Sequence, residues 1–532
     1  MAVRSLINAA QRAESTFTFE LSQQHGYDAL GNPIELHDPL GRVTRQIYDA
    51  QNRRVAVLTP AGSGNNARTV EERYTLDAIG NLVAHQGPGG DAFTSRFEYD
   101  ALGRLAKATD AAGQVATWTY DRWGNIRENL STSGLVTYVY DALNRLVSTK
   151  DDSGAETRME YPGLSSVIRL RDPNGNVTER ILDGLGRAVT EIDALGVTRK
   201  TTFDAAGNIL ATVDGLGVRT EFDWDARNLL VAERRALGTD VTVSAAYIYD
   251  DLGRILSATD FRGAFYRTDH AYDGLGRRTH MTIQVGSPGA PATAESTWEY
   301  DAVGNVIAET DPRGFRTEFT YEARNLLIEI RRPDGTGDAP ATATTRRVYD
   351  DAGYLIEETS PLGYVTTFRY DSVGRVIERI VETSPVPEAP EGLLTWRWDY
   401  TYENNRLRID ETDAVGITIR TFHDTHNRPV RVEDPRSGIT EIAYDAAGNV
   451  TSRVNGRFAV SYTYDALHRV LTSTDADGKT TTSTYDAEGR LLSQTDPLGH
   501  VIGHEYDALG RRVRTIDAAG GITTSSYDAQ GN

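Results

Sequence analysis

The chain has 532 residues, no cysteine, a formal net charge of −20 and only 39% hydrophobic residues. Without cysteine there is neither a disulfide framework nor a thiol nucleophile, and the acidic balance with dispersed arginines argues against a nucleic-acid partner, whose phosphates need a concentrated basic surface. No apolar run is long enough to cross a membrane as a helix, and Met1 to Ser15 holds no apolar segment of the kind a secretory signal requires.

In chain order, one signature returns from end to end: Tyr27-Asp28 with Gly31-Asn32, Tyr99-Asp100 with Gly103-Arg104, Tyr272-Asp273 with Gly276-Arg277, and Tyr506-Asp507 with Gly510-Arg511. Allowing another aromatic, Leu or His for Tyr, the anchors stand at 27, 48, 76, 99, 120, 140, 161, 182, 203, 224, 249, 272, 300, 321, 349, 370, 402, 423, 444, 464, 485, 506 and 527, most steps being 20 or 21 residues. A length of 532 suggests three or four domains, but a repeat in phase throughout overrides that prior. We expect a lead-in over 1–24, then one continuous array over 25–532, truncated because Gly531-Asn532 stop inside a turn. The longer steps contain Gly62-Ser63-Gly64, Ser287-Pro288-Gly289 or Pro385-Val386-Pro387 and read as lengthened hairpin loops.

The third position after the Asp is Gly, Asn (52, 144, 228, 325, 427) or His468, types that tolerate positive φ. An Asp, two free residues and a left-handed residue predict a type I turn closed by a G1 bulge, joining antiparallel strands. Tyr161-Pro162-Gly163 departs from the pattern, as does Tyr402-Glu403, where Asn405 is shifted by one. About ten residues after each such turn comes a second one, as at Asp38-Pro39-Leu40-Gly41, Asp110-Ala111-Ala112-Gly113 and Asp311-Pro312-Arg313-Gly314.

Between turns the pattern alternates with period two, as in Val115, Thr117 and Thr119 against Ala116, Trp118 and Tyr120. The fold class predicted is all-β, about 23 hairpins in a sheet of about 46 strands, roughly 220 Å long and 20 Å wide. Twist and bulges should coil it into a spiral.

The Tyr-Asp-Ala-x-Gly-Arg-Leu and Asp-Pro-x-Gly-x-x-Thr elements resemble the YD repeats of the Rhs family, which includes bacterial Rhs polymorphic toxins, Tc toxin shell components and the teneurins. The resemblance runs from about residue 25 to the C-terminus. It implies a hollow, cocoon-like shell around a C-terminal toxin or effector cargo domain of the same parent chain, secreted or at the cell surface with the help of secretion machinery. In the teneurin-like alternative it implies an adhesion or carbohydrate-binding array. Asp496-Pro497-Leu498-Gly499 resembles the start of the family's autoprotease motif, but the same tetrad type recurs at Asp38, Asp172 and Asp311, so it is read as a turn. The ribbon supplies about one circuit of a shell roughly 70 Å across.

No nucleophile elbow, phosphate loop or metalloprotease motif is present, and an enzyme is the least supported class. The close histidine pairs are His423/His426 and His500/His504. His423 replaces a repeat tyrosine, and the second pair would share a strand face without a third ligand, so no metal, cofactor or catalytic residue is assigned. The residues singled out are the turn positions Tyr27, Asp28, Gly31, Tyr99, Asp100, Gly103, Tyr272, Asp273, Gly276, Tyr506, Asp507 and Gly510. Their tyrosines are expected to stack as an aromatic ladder; a carbohydrate platform is the competing use.

Overall fold

Period-two alternation is realised as short strands throughout a computed structural model. It describes residues 24–527 except 164–165, 237–241, 262, 264, 288, 334–341, 384–391, 404–405, 457 and 508. The N-terminal lead-in up to residue 23, Pro288, the Pro385-Val386-Pro387 loop, Asn405 and the closing Gly531-Asn532 turn lie outside the described residues. Forty-five strands run from Gln24–Tyr27 to Ile522–Thr524, and the described residues form no α-helix, only 3-10 turns at Gly64–Asn66 and Asp91–Phe93. The ladders join sequence neighbours and run antiparallel, as expected of a meander of hairpins.

The strands around Tyr99 show why the ribbon has two different faces. Phe97 lies opposite Ala108 and Ala108 opposite Ala116, while Glu98 lies opposite Lys107 and Lys107 opposite Thr117. Alternation therefore puts Phe97, Ala108 and Ala116 on the face of the repeat tyrosine, and Glu98, Lys107 and Thr117 on the other. Lys107 Nζ meets Glu98 Oε1 at 2.6 Å across that polar face, as Arg316 meets Glu299 at 2.5 Å further on. Buried apolar residues are few and small (Ala56, Ala61, Val70, Ala211, Ala245, Ala308), and no large side chain among the described residues is fully buried. Stability thus rests on cross-strand neighbours rather than a globular core.

Two of the long steps are not simply loops. Arg278–Ser287 and Ala290–Tyr300 are strands of 10 and 11 residues, and Leu393–Glu403 also has 11. Extra residues in those hairpins lengthen strands, where a neighbouring strand satisfies backbone groups that a loop would leave to solvent.

The chain divides into two compact units, each discontinuous in sequence. The first comprises Met1–Trp118, Ser296–Asp399 and Glu411–Ile417; the second comprises Thr119–Glu295, Tyr400–Asp410 and Thr418–Asn532. Within each unit an earlier and a later run of hairpins touch through their turns, between residues 260 to 296 apart in sequence. Ribbon length alone suggested about one circuit in the whole chain; within a unit, a run already meets a later one after about half of it.

Candidate functional site

Nearly every repeat among the described residues presents the same turn, built on its acid; Tyr161-Pro162-Gly163 is the exception. The Asp100 N–H donates to Arg104 O at 2.9 Å and the Gly103 N–H donates to Asp100 O at 2.9 Å. Asp100 Oδ1 accepts from the Leu102 and Arg104 N–H groups at 2.9 and 3.0 Å, and Oδ2 accepts from Arg104 Nε at 2.8 Å. Asp28, Asp273 and Asp507 repeat this arrangement with Asn32, Arg277 and Arg511. Gly31, Gly103, Gly276 and Gly510 have φ of 88°, 75°, 83° and 81°. The non-glycine residues of positive φ among the described residues are Asn52, Asn144, Asn228, Asn325, Asn427 and His468, all at this same position.

Hydrogen bonds to a carboxylate favour its charged form, and the turn acids show it. The Arg104 side chain, then its backbone N–H, hold Asp100 below the ordinary value of 3.8. Asn32 does the same for Asp28. At Asp273 burial pulls upward, but the backbone and side-chain bonds from Arg277 outweigh it.

Among the described residues no aromatic pair joins two anchor tyrosines as the expected ladder would; the anchor Tyr370 stacks instead on Tyr354, 4.9 Å away, a residue of the turn position usually held by Arg or Asn. Successive anchors are two strands apart, roughly 9.6 Å, beyond the 4.5–7 Å at which aromatic rings pair. An arginine fills the gap. Arg254 lies 4.8 Å from the Tyr272 ring centroid and Arg490 lies 4.9 Å from that of Tyr506. Arg490 also holds Asp486 Oδ2 in its own turn at 2.6 Å and donates to Asp507 O in the next at 3.2 Å. The tyrosine hydroxyl in turn donates to a carbonyl of the preceding hairpin: Tyr99 to Leu82, Tyr272 to Ile255 and Tyr506 to Leu491, at 2.8–2.9 Å. Trp224 Nε1 bonds Ile209 O at 2.7 Å, and His423 Nδ1 meets Leu407 O at 3.2 Å, so both substitutes keep the function. Tyr161 keeps it too, bonding Leu146 O at 3.0 Å beside the irregular Pro162-Gly163 turn. Rings covered by guanidinium groups and hydroxyls bonded to the backbone make a poor carbohydrate platform.

Turns also build the seams inside each unit. In the first unit, Arg42 Nη2 donates to Asn325 Oδ1 at 3.0 Å, Arg68 Nε meets Asp351 Oδ1 at 2.5 Å, and the Ala323 N–H donates to Gly62 O at 3.1 Å. Glu322 takes the turn position usually held by Asp. Its longer side chain accepts from the Gly62 N–H across the seam, while Arg324 Nε binds its other oxygen at 2.6 Å. Sequence reasoning passed over this residue, although Glu in place of the usual Asp was the available signal.

In the second unit, His426 Nε2 meets Asp151 Oδ2 at 2.8 Å and Thr425 Oγ1 donates to Asp152 Oδ1 at 3.0 Å. Asn174 donates to Asp445 at 3.0 Å, His468 Nε2 lies 3.1 Å from Asp172, and Glu488 Oε1 accepts from the Gly215 N–H and Arg199 at 2.8 and 3.0 Å. Both seams lay the Tyr-Asp turns of the later run on the second-type turns, or their longer equivalents, of the earlier run.

The histidine pairs part company. His423 occupies an anchor and His426 the seam, where ligand atoms of Asp151, Asp152 and His426 lie within 4.8 Å of one another. The His426–Asp151 pairing already accounts for that convergence, and its carboxylates come from a stretch some 275 residues away, which no local motif could reveal. His500 precedes the strand Val501–Tyr506 and closes its turn on Asp496 at 2.8 Å, whereas His504 faces Thr515 at 3.4 Å.

Sequence-adjacent hairpins, closed by one kind of turn and fastened by one kind of arginine clamp, define a repeat-built β scaffold. Eight stretches, residues 27–63, 99–133, 203–240, 300–336, 349–384, 444–480, 464–501 and 485–522, match the family described as RHS Repeat. The chain belongs to the RHS-repeat family. It is 31% identical over 136 residues to double-stranded DNA deaminase toxin A of Burkholderia cenocepacia (strain H111), a match spanning 25% of this chain and 9% of that protein. Among solved structures it is similar to TcdB2-TccC3-Cdc42 (14% identity, TM-score 0.52, 95% of this chain, 32% of the other) and to TcdB2-TccC3 (15% identity, TM-score 0.51, 95% and 31%). At these identities the likeness concerns the fold, and the chain spans about a third of the solved chains it matches.

Proposed function

We propose that this chain is a wall segment of a secreted bacterial Rhs-type toxin, enclosing or scaffolding a toxin or effector domain of the same parent polypeptide. The observation that carries the reading is the two-faced ribbon, whose RHS repeats and fold likeness to a Tc toxin fit it. One face offers ion pairs and threonines, as at Glu98, Lys107 and Thr117, with exposed apolar side chains such as Ile47, Val139 and Ile248 spaced singly among them rather than gathered in one patch. On this reading that face is turned to the cargo.

The role is structural rather than catalytic. Deaminase is part of the relative's name, and only 9% of that relative is aligned. These 532 residues contain no cysteine, so the His and Cys ligand set of a zinc deaminase cannot be assembled within them. Limited proteolysis of the full parent protein tests the proposal. The cargo domain should resist cleavage while the wall is intact and become sensitive when expressed alone. Equal sensitivity in both settings would sink enclosure.

A further inference from the structure

Asparagine is followed by glycine at Asn174-Gly175 and at Asn455-Gly456. In this dipeptide no side chain keeps the glycine nitrogen away from the asparagine carboxamide. The two copies stand in different places. Asn455 lies within the later run of the second unit, where its amide donates to Thr440 Oγ1 of the neighbouring strand at 2.7 Å. Asn174 is exposed at the tip of the Asp172 turn and donates across that unit's seam to Asp445 Oδ2 at 3.0 Å. Gly175 has φ of 91° and donates its N–H to Asp172 O at 3.0 Å. On the facing side, Asp445 Oδ2 also accepts from Asn449 Nδ2 at 2.8 Å, and Oδ1 accepts from the Ala447 and Asn449 N–H groups. Burial pulls the Asp445 carboxyl upward, but the bonds from Asn449 and Asn174 outweigh it and hold it below the ordinary 3.8. Nearby basic groups are engaged already: His468 Nε2 lies 3.1 Å from Asp172, and Arg171 Nη1 donates to Gly175 O at 3.0 Å.

We infer that Asn174 is a site of spontaneous deamidation, and that the reaction is a one-way latch on this seam. While the seam is closed, the bond to Asp445 holds the carboxamide and the turn bond holds the Gly175 N–H, so the two reacting groups are kept from each other. Once the seam opens, the Gly175 nitrogen gives its proton to hydroxide and attacks Asn174 Cγ. A succinimide forms as the Cγ–Nδ2 bond breaks, and ammonia leaves with a proton taken from water. Water then opens the ring to aspartate or isoaspartate. The product sets a carboxylate against the ionised Asp445 where a donor stood, so like charges replace a hydrogen bond and the seam no longer closes as before. The same change at Asn455 faces the Thr440 hydroxyl, which can turn from acceptor to donor, and it touches no seam. This inference needs only the seam and holds whatever the wall encloses.

Peptide mass spectrometry on the full chain, aged in mildly alkaline buffer, reads deamidation at both asparagines. In the wild type Asn174 should stay largely intact. In the double variant His426→Ala with Glu488→Ala, which removes other contacts of the same seam, Asn174 should deamidate about tenfold faster while Asn455 keeps its wild-type rate. Hydrogen exchange gives a second measurement. Asn174→Asp, the product of the reaction, should lower protection at residues 172–176 and 445–449. Asn174→Gln keeps a donor and cyclises far more slowly, so it should leave those turns protected and accumulate no deamidation there; Asn455→Asp should leave them protected too. Equal rates at Asn174 in the wild type and the double variant, acceleration at Asn455 as well, or a seam as protected in Asn174→Asp as in the wild type would each overturn the inference.

Discussion

Two adjacent turn positions obey a pairing rule that the hydrogen bonds explain. Where the residue after the left-handed position is Asn, its amide holds the acid of its own turn and reaches the next left-handed residue: Asn32 to Asn52, Asn208 to Asn228, Asn305 to Asn325, and Asn449 to His468, all at 2.8–3.0 Å. Asn125 to Asn144 is the same pair. Where that residue is Arg, the next left-handed position is glycine. A β-carbon at Gly276 would lie 3.2 Å from Arg254 Nη1, and one at Gly448 would lie 3.3 Å from Arg428 Nη1, tighter than real contacts usually are. Asn81, followed by Gly103, keeps only its own-turn bonds. The rule predicts a coupling. Asn208→Arg alone should crowd Asn228 and destabilise the hairpin, whereas Asn208→Arg with Asn228→Gly should recover about 1 kcal/mol of that loss. Hydrogen exchange across residues 204–230 measures it, and additive effects would refute the pairing. Positive φ was legible at these positions because few residue types tolerate it. The partnership was not, since it joins residues about 20 apart whose link exists only once strands are in register.

At the scale of the hairpin, Arg and Tyr work as a crossed pair. Arg469 binds Asp465 Oδ2 at 2.7 Å, donates to Asp486 O at 3.0 Å and covers the Tyr485 ring at 4.8 Å, while Tyr485 returns a hydroxyl bond to Val470 O at 2.9 Å. Tyr485→Phe keeps the ring under the guanidinium and loses one hydrogen bond, a cost of about 1 kcal/mol. Arg469→Ala removes the charged bonds and the cation–π contact together, so a loss of about 2–3 kcal/mol is expected. Local exchange protection in Val470–Asp475 and Thr480–Tyr485 should fall further for the arginine variant; equal effects would show that the guanidinium contributes no more than the single hydroxyl bond. Hairpins, turn acids and the low helix content were legible in the sequence because they depend on neighbours a few residues apart. The tyrosine's partner was misread, because the anchor recurs so regularly that its own kind seemed to be its neighbour. Strand spacing, not regularity, decides that contact. The seams were beyond reach for a further reason: Glu322, His426 and Glu488 meet partners 260 to 289 residues away, through turns that locally look like all the others.

The whole molecule repeats one carboxylate chemistry often enough for acid to act on it cooperatively. Asp28, Asp49, Asp100, Asp141 and Asp183 are all held below the ordinary 3.8, by Asn32, Arg53, Arg104, Arg145 and Arg187 respectively, and Arg158, then Ser148, lower Glu156 to about 2. A carboxylate whose folded pKa is depressed binds protons more readily in the unfolded chain. Its stabilisation is therefore complete above the unfolded value and is lost as pH falls through the folded one. The array should hold its structure at neutral pH, begin to weaken below about pH 4.5 and be largely unfolded near pH 2. A second force acts in the same range, because with the acids neutral only the 56 Lys and Arg and the 10 His remain charged and repel one another. Salt separates the two. Screening relieves general repulsion but leaves short hydrogen bonds to the turn acids nearly untouched, so an acid midpoint in far-ultraviolet circular dichroism that barely moves with salt identifies the turns as the cause. Replacing Asp100, Asp141 and Asp183 with Asn keeps a turn acceptor and removes the titration, so the variant should start less stable and lose less stability between pH 4.5 and 2. A variant whose acid loss matches the wild type would place the sensitivity in net charge rather than in the turns.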